Sequence, residues 1–349
     1  MDFYKLAIKE IKRETKNAVS IVFNIPQELK SAYQFIAGQY VTLKLTLDGK
    51  ELRRAYSICS SPKSNEMRIA VKEVKNGTFS KFANSKLAVG DLLEVSIPEG
   101  KFTFEAKQEH QRSYAAFAAG SGITPVLSIA KSILEEPNST FVLIYGNKDE
   151  SETIFHDELK ALQLKNLGRF FVHFVYSQAN VAGELSGRID KDVVNTVLKT
   201  KHSDKTFSKF YLCGPEAMIQ VVTTTLKENN VAEKDIKFEL FGTSTASENK
   251  VATGNEGHTA ISITVDADEV SFEMSQQQTI LEAALKQGLD VPYSCQGGIC
   301  SSCICRVTEG SATMKKNQIL TDNEVAEGLV LACQALPTSS EIKIDFDDI

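Results

Sequence analysis

The sequence predicts a multidomain chain: an antiparallel β-barrel or sandwich, then an α/β parallel sheet, then a small α+β unit. Three observations predict it. Short alternating apolar runs fill residues 1–106. Apolar strands alternate with helical stretches from Ser113 onward. Composition and charge both break after Gly242. A length of 349 residues is consistent with two or three domains.

The first unit is read from residues 40–47 and 67–74, which alternate apolar and polar, with Asp48-Gly49 and Asn76-Gly77 as turn signals. In the second, residues 114–119, 141–145, 171–176 and 210–213 are short apolar runs. Helical stretches near 125–136, 155–164, 190–199 and 215–228 lie between and beyond them. Residues 242–258, GTSTASENKVATGNEGH, lack apolar periodicity and read as a flexible linker. Beyond them, Ile261, Ile263 and Val265 alternate, as do Val270, Phe272 and Met274, across an expected hairpin at 266–269. Thr279 with Glu282, and Thr321 with Glu324, have capping-box spacing, and Gly288 suits a helix end. The expected boundaries are 1–108, 109–242, a linker at 243–258, and 259–349.

Charge separates the same units. Residues 259–349 hold 14 acidic and 5 basic side chains, a net −9, whereas the preceding 258 residues carry +3. That acidity suggests docking on a basic protein surface. A total of −6 argues against a nucleic-acid partner. No run of about 18 apolar residues occurs, so no membrane span is expected. Residues 1–20 lack a signal-peptide core, which makes the cytoplasm the expected location. His110, His156, His173, His202 and His258 are scattered, and neither a G-x-S-x-G nor a P-loop occurs. Hydrolase and kinase chemistry therefore has no support.

The strongest chemical signal is Cys295-x4-Cys300-x2-Cys303, completed by Cys333. This is the plant-type [2Fe–2S] spacing. Such a cluster needs four thiolates, two per iron, three of them from one tight loop. The loop residues Gln296-Gly297-Gly298-Ile299 are small enough to let backbone N–H groups approach sulfur. Zinc sites favour paired C-x2-C units, and only one such pair is present. Cys305 reads as a buried strand residue.

Three weaker signals precede it. Arg54-Ala55-Tyr56-Ser57 offers a cation for phosphate, a ring to stack on a flavin and a hydroxyl for its N5. Gly77-Thr78-Phe79-Ser80 offers backbone donors for a pyrophosphate. Gly120-Ser121-Gly122-Ile123-Thr124-Pro125 follows a strand, with Pro125 suited to a first helical position, so a helix N-terminus would face a phosphate. Cys213-Gly214-Pro215 again stands between a strand and a helix, where ligands of open α/β sheets bind. Glu239 and Phe241 close the second unit, and Phe241 is a candidate shield for a flavin ring.

Taken in this order, these motifs resemble the ferredoxin–NADP reductase superfamily, in members with a C-terminal plant-type ferredoxin. The resemblance spans nearly the whole chain. It implies an FAD-binding antiparallel β-barrel, an NAD(P)-binding α/β domain and a β-grasp ferredoxin. It places Arg54, Ala55, Tyr56, Ser57, Val71, Lys72, Gly77, Thr78, Phe79, Ser80 and Phe241 at the flavin. Gly120, Gly122, Thr124, Pro125, Ser177, Arg188, Cys213 and Gly214 fall at NADPH or NADH, and Cys295, Cys300, Cys303 and Cys333 at iron. Ser57, Cys213 and Glu239 become the catalytic candidates, with hydride passing from nicotinamide C4 to flavin N5. Within the superfamily, the domain order is similar to reductase components of bacterial oxygenases. The stretches RAYSICSSP and GSGITP resemble the reductases serving phenylacetyl-CoA epoxidases. Other acceptors in view are an aromatic-ring dioxygenase, a desaturase or a hybrid-cluster protein. Phthalate-dioxygenase-type reductases share the order but use FMN; Gly77–Ser80 favours FAD. Ser177 is followed by Gln178 where NADPH-preferring relatives carry Arg, so either Arg188 substitutes or NADH is accepted. The reading leans to NADPH.

Overall fold

The computed structural model describes residues 2–47, 49–75, 77–107, 111–240, 257–265 and 267–349. The chain forms two compact units, Asp2–Gly242 and Thr243–Ile349. Phe241, the turn residues Asp48 and Asn76, and nearly all of the expected linker lie outside the described residues. No helix among the described residues is long and apolar enough to cross a membrane.

The first unit begins with strands β1 (Phe3–Thr15), β2 (Ala18–Asn24), β3 (Tyr40–Leu47), β4 (Lys50–Ser57) and β5 (Met67–Lys72). Helix α1 (Thr78–Ser85) and β6 (Leu92–Ser96) follow. Their order in the antiparallel sheet is β4-β3-β6-β1-β2-β5. The sheet curls until its two edges meet: Ile58 bridges Ile69, and Cys59 N–H donates to Arg68 O at 2.8 Å. Closure leaves no free edge on that side and settles the barrel-or-sandwich question as a barrel. Leu6, Val41, Leu43, Ile69 and Val71 fill its interior.

The barrel is followed by β7 (Ser113–Ala119), α2 (Ile123–Ile133), β8 (Thr140–Asn147), α3 (His156–Lys165), β9 (Phe170–Tyr176) and the short β10 (Leu185–Ser186). Then come α4 (Lys191–Asn195), β11 (Phe207–Gly214), α5 (Glu216–Glu228) and β12 (Ile236–Leu240). The sheet is parallel, in the order β10-β9-β8-β7-β11-β12. The chain starts at β7, runs outward to β10, then returns to the other side of β7. That reversal opens a crevice at the carboxyl ends of β7 and β11, where open sheets bind ligands. Barrel and sheet are held together by charge as well as packing. Arg68 on β5 donates twice to Glu158 on α3, at 2.7 and 3.0 Å, and Lys131 on α2 pairs with the same carboxylate at 2.6 Å. These partners keep Glu158 below the usual carboxylate range: burial alone would raise it, and the Arg68 hydrogen bond leads the opposing effects. Of the scattered histidines, two do meet: His173, partly buried, and the buried His202 face each other through their Nε2 atoms at 2.8 Å.

The second unit contains β13 (His258–Val265), β14 (Asp268–Ser275), α6 (Ile280–Lys286), β15 (Ile304–Glu309), β16 (Ala312–Met314), α7 (Asp322–Ala326), β17 (Leu329–Leu331), β18 (Ala335–Pro337) and β19 (Glu341–Asp345). A mixed sheet, β14-β13-β19-β15-β17, wraps α6, which is the β-grasp arrangement; β16 and β18 pair separately. Val265 pairs with Asp268, so the hairpin is tighter than expected and Glu269 already belongs to β14. Both capping boxes form, at Thr279–Glu282 and Thr321–Glu324. Gly288 takes φ +76° just beyond α6, a left-handed ending that glycine adopts at little cost.

Candidate flavin, nucleotide and iron–sulfur sites

On β4, side chains alternate across the barrel wall. Arg54 is exposed, its Nη1 donating to its neighbour's carbonyl at 2.7 Å, and Tyr56 is partly exposed on the same face. Burial raises the Tyr56 phenol, against the lowering effect of the Arg54 charge. Phe79 packs behind the Tyr56 ring at 5.6 Å between centroids. Ser57 takes the other alternation and is buried. Ala55 sits between, paired with Thr42 on β3.

Gly77–Ser80 is not an open loop. Gly77 caps α1 without a side-chain hydrogen bond, leaving the first-turn N–H groups of Thr78 and its successors unclaimed by a cap side chain. Phe79 and Val71 are wholly buried in the barrel core, so any ligand contact they make is through backbone. Ser80 Oγ accepts from Val74 N–H at 3.1 Å and so braces the turn. An exposed cation, a backed aromatic face and uncapped helix donors on one side of the barrel fit a flavin nucleotide.

At the crevice, Gly120–Gly122 forms a 3-10 turn leading into α2. Tyr145 hydroxyl donates to Gly120 O at 2.8 Å, and Thr124 Oγ1 to Ser121 O at 3.0 Å. The helix starts at Ile123, so Pro125 is its third residue rather than its first. That position is also free of an intrahelical N–H bond, which is why proline is tolerated there. A Cβ on Gly122 would lie 2.1 Å from Cys213 O and 2.5 Å from Cys213 C. Only glycine lets the α2 turn press against the Cys213-Gly214 peptide. Gly214 is less tight, a Cβ there meeting the flexible end of Met218 at 2.8 Å. Gly122→Ala must therefore push the two turns apart. It is expected to destabilise the unit by about 1–3 kcal/mol and to slow nucleotide-driven reduction by roughly 100-fold, because the two motifs no longer share one register. Thermal melts and stopped-flow traces check both; a variant matching wild type in each would remove the close-approach argument.

The three catalytic candidates meet beside this contact. Ser57 Oγ donates to Glu239 Oε2 at 3.3 Å, joining β4 to β12 across 182 residues of chain. Cys213 on β11 is the register neighbour of Glu239. Burial pushes the Glu239 carboxyl up to about 8, opposed by the Ser57 hydrogen bond. The Glu239 residue as a whole is only partly buried. Cys213 is raised well above the usual thiol range, first by burial and then by Glu239, so it stays a neutral thiol.

A cleft of about 480 Å³ continues from Gly120 past the ends of β8 and β9. Ser177 and Arg188 line it. So does Lys72, whose expected place was at the flavin. It leaves β5 to reach the nucleotide side, 3.9 Å from where a Gly120 Cβ would stand, and pairs with Glu152 at 3.6 Å. Asn147 and Lys148, lining residues that sequence reading missed, stand at the end of β8. Their position just beyond an apolar strand run was a signal available in the sequence.

In the second unit the four expected cysteines form two facing pairs, Cys295 with Cys300 and Cys303 with Cys333. Among the described residues no three His, Cys, Asp or Glu side chains gather as for a single ion. Two thiol pairs instead match the donor set of a two-iron cluster. The Cys295 thiol is held down to about 6, chiefly by Cys300, against burial, with help from the N–H groups of Gly297, Ile299 and Cys300. Gly298 (φ +71°) turns the loop so that its own N–H reaches Cys333. Cys305 is fully buried on β15, outside the set.

Three family profiles match in sequence order: an "Oxidoreductase FAD-binding domain" at residues 5–104, an "Oxidoreductase NAD-binding domain" at 117–224 and a "2Fe-2S iron-sulfur cluster binding domain" at 263–338. The chain is 39% identical, over 99% of its length and 98% of the relative's, to a subunit of the 1,2-phenylacetyl-CoA epoxidase of Escherichia coli K12. The chain belongs to the ferredoxin–NADP reductase superfamily. Within it the chain is in the branch with a C-terminal [2Fe–2S] ferredoxin, and it is an NAD(P)H-dependent flavin oxidoreductase. It is also 32% identical, over 98% of its length and 96% of the relative's, to the ferredoxin reductase component of 3-ketosteroid-9-alpha-monooxygenase from Rhodococcus rhodochrous. The solved phthalate dioxygenase reductase superposes with a TM-score of 0.63 at 25% identity, covering 98% of both chains. Superfamily membership accounts for the order of the three sites along the chain. A two-electron donor and a one-electron cluster need a flavin between them.

Proposed function

We propose that this reductase draws electrons from NADPH or NADH and passes them singly, through FAD and its [2Fe–2S] cluster, to the oxygenase component of a phenylacetyl-CoA epoxidase-type complex. The observation that carries the electron path is the Ser57–Glu239 hydrogen bond beside Cys213. It brings the flavin strand and the nucleotide crevice to one point. The 39% identity over nearly the whole length of both chains supports the choice of acceptor. Relatives named as monooxygenase reductases for a ketosteroid and for glycine betaine keep other oxygenases as the alternative.

In this reading Arg54 and the α1 N-terminus hold the flavin phosphates, and Tyr56 covers the ring. A bound flavin supplies the conversion between two-electron and one-electron chemistry. The chain's own residues set the geometry. Ser57 presents its hydroxyl where the two sites meet. Glu239, uncharged below about pH 8, holds a proton at that point without adding negative charge. The neutral Cys213 thiol fills space beside it and orients the nicotinamide. Cys295, Cys300, Cys303 and Cys333 hold the cluster, and the −9 charge of residues 259–349 favours a basic docking surface. Cysteine ligands that must stay reduced, with a pyridine-nucleotide donor, support a cytoplasmic location.

Anaerobic titration of the purified protein with NADPH and NADH in parallel tests the path. Both flavin and iron–sulfur absorption bands are expected to bleach. A cluster that stays oxidised while the flavin bleaches would overturn it. Adding purified oxygenase components tests the acceptor: the epoxidase-type oxygenase should reoxidise the cluster faster than a ring-dioxygenase component, and the reverse order would reassign the partner.

A further inference from the structure

We propose that Gln334 is a positioning residue that sets the reduction potential of the iron–sulfur cluster, its side-chain amide donating toward the Cys333 sulfur while it clamps the ligand loop at Gln296. The inference rests on the reading that Cys295, Cys300, Cys303 and Cys333 hold the cluster, and it adds to that reading a side chain outside every motif read from the sequence.

The Gln334 backbone is fixed independently of its side chain. Its N–H donates to Leu331 O at 2.8 Å, and its carbonyl accepts from Lys315 N–H at 2.9 Å. The residue stands between β17 and β18, one step beyond Cys333. From there the side chain reaches across to the loop that carries the other three cysteines. Its Nε2 lies 3.2 Å from Gln296 O, 3.0 Å from Cys333 O and 3.8 Å from Cys333 Sγ. Two of these acceptors are carbonyl oxygens, so the amide must turn its NH2 toward them; the reverse orientation would set oxygen against oxygen. Two hydrogens then serve three acceptors. One crosses to Gln296 O, and the other is shared between the carbonyl and the sulfur of Cys333.

The same side chain holds the loop in its turn. Gln296 (φ +53°) and Gly298 (φ +71°) are both left-handed. Gln296 is not glycine, so its conformation is strained, and the Gln334 hydrogen bond to its carbonyl offsets that strain. Gly298 is seated against Gln334 as well: a Cβ there would lie 2.9 Å from Gln334 Cγ and 3.0 Å from Lys316 O. One side chain thus meets the loop at 296 and 298 and the fourth cysteine at 333. The effect on the cluster has a fixed sign. An N–H aimed at a ligand sulfur draws charge from the thiolate and favours the cluster with one more electron. Cys333 is buried, so solvent offers its sulfur little in place of that donor. Transfer takes one electron from the reduced flavin and turns one ferric iron ferrous. No bond forms or breaks at Gln334, so the amide acts on the equilibrium of that step.

The test is a dye-mediated anaerobic redox titration of the full-length flavin- and iron-loaded protein, with the cluster followed by electron paramagnetic resonance and the flavin by absorption. Gln334→Met keeps the length of the side chain and removes both N–H groups. It is expected to keep its iron and to shift the cluster equilibrium toward the oxidised form by about three- to tenfold, tenfold being about 59 mV for a one-electron couple. The flavin potential should not move. Gln334→Glu, which also adds a negative charge beside Cys333, should shift the cluster further in the same direction. Gln296→Asn keeps the accepting carbonyl and should stay within about twofold of wild type. A clamp that was only structural would lower the iron content or broaden the signal without this order of potentials. Gln334→Met titrating with wild type, iron retained, would overturn the assignment. If that variant does not hold iron, the wild type decides: protein labelled with 15N in its glutamine side-chain amides should show nitrogen coupling to the reduced cluster, and a spectrum without it would overturn the assignment equally. A wild type that holds no iron, or a Cys303→Ala variant that keeps all of it, would instead remove the reading of the four cysteines.

Discussion

Cys303→Ala is expected to abolish iron–sulfur absorption in the purified protein and to leave a flavin that NADPH still bleaches. Cys303 is almost completely buried and faces Cys333, so removing its thiol leaves one iron with a single protein ligand. Water cannot readily replace it inside a core packed by Ile304, Leu331 and Ala332. Metal affinity is shared between all four thiolates, so loss of one is not a graded effect. The flavin and nucleotide residues lie in the other compact unit, with its own cores, and keep their fold. Reduction of a protein acceptor should fall by more than about 100-fold while flavin bleaching stays near wild type. Iron analysis and anaerobic spectra decide it. A variant that retained two irons and passed electrons normally would exclude Cys303 as a ligand. Cys305→Ala serves as the contrast, since that thiol lies in β15 away from the four, and it should cost stability without costing iron.

Ser57→Ala should slow flavin reduction by about 10–100-fold with FAD still bound, because it removes one hydrogen bond at the meeting point and no phosphate contact. Single-turnover stopped flow separates this step from binding; an unchanged rate would exclude the role. Glu239 makes a second, pH-dependent prediction at the same point. Its carboxyl is raised from 4.5 in the unfolded chain to about 8 in the folded one. The folded state therefore holds a proton that the unfolded chain has released. The associated stability is fully present below about pH 4.5 and is lost as pH rises to about 8. Wild type should lose melting temperature between about pH 5 and pH 8 relative to Glu239→Gln, whose amide cannot ionise. Parallel curves for the two proteins would show that Glu239 is not held protonated.

Local chemistry made some features legible in advance. The four facing cysteines could be read because three of them lie within one short loop, where spacing and geometry are nearly the same thing. The two capping boxes and Gly288 were legible for the same reason: each involves residues three or four apart on a helix end. Strand–helix alternation announced the parallel sheet. Other features were missed because they depend on distant neighbours. Pro125 suited a first helical position, but a 3-10 turn and the packing of Gly122 on Cys213 moved the helix start to Ile123. Gly77–Ser80 was read only as a source of backbone donors; that these donors belong to the first turn of α1, with Phe79 packed under Tyr56, depends on the barrel around them.

By itself, the sequence determined the iron–sulfur domain, the three-part order and the places of the flavin and nucleotide motifs along the chain, since each is written in residues close to one another. Tertiary structure alone decided that Ser57 meets Glu239, that Lys72 crosses from the barrel to the nucleotide cleft, and that Lys148 stands beside Ser177. These contacts follow from barrel closure and from the strand order β10-β9-β8-β7-β11-β12. Neither is encoded in any local pattern: hydrophobic periodicity says that a strand forms, whereas its neighbours are chosen by the packing of the whole sheet.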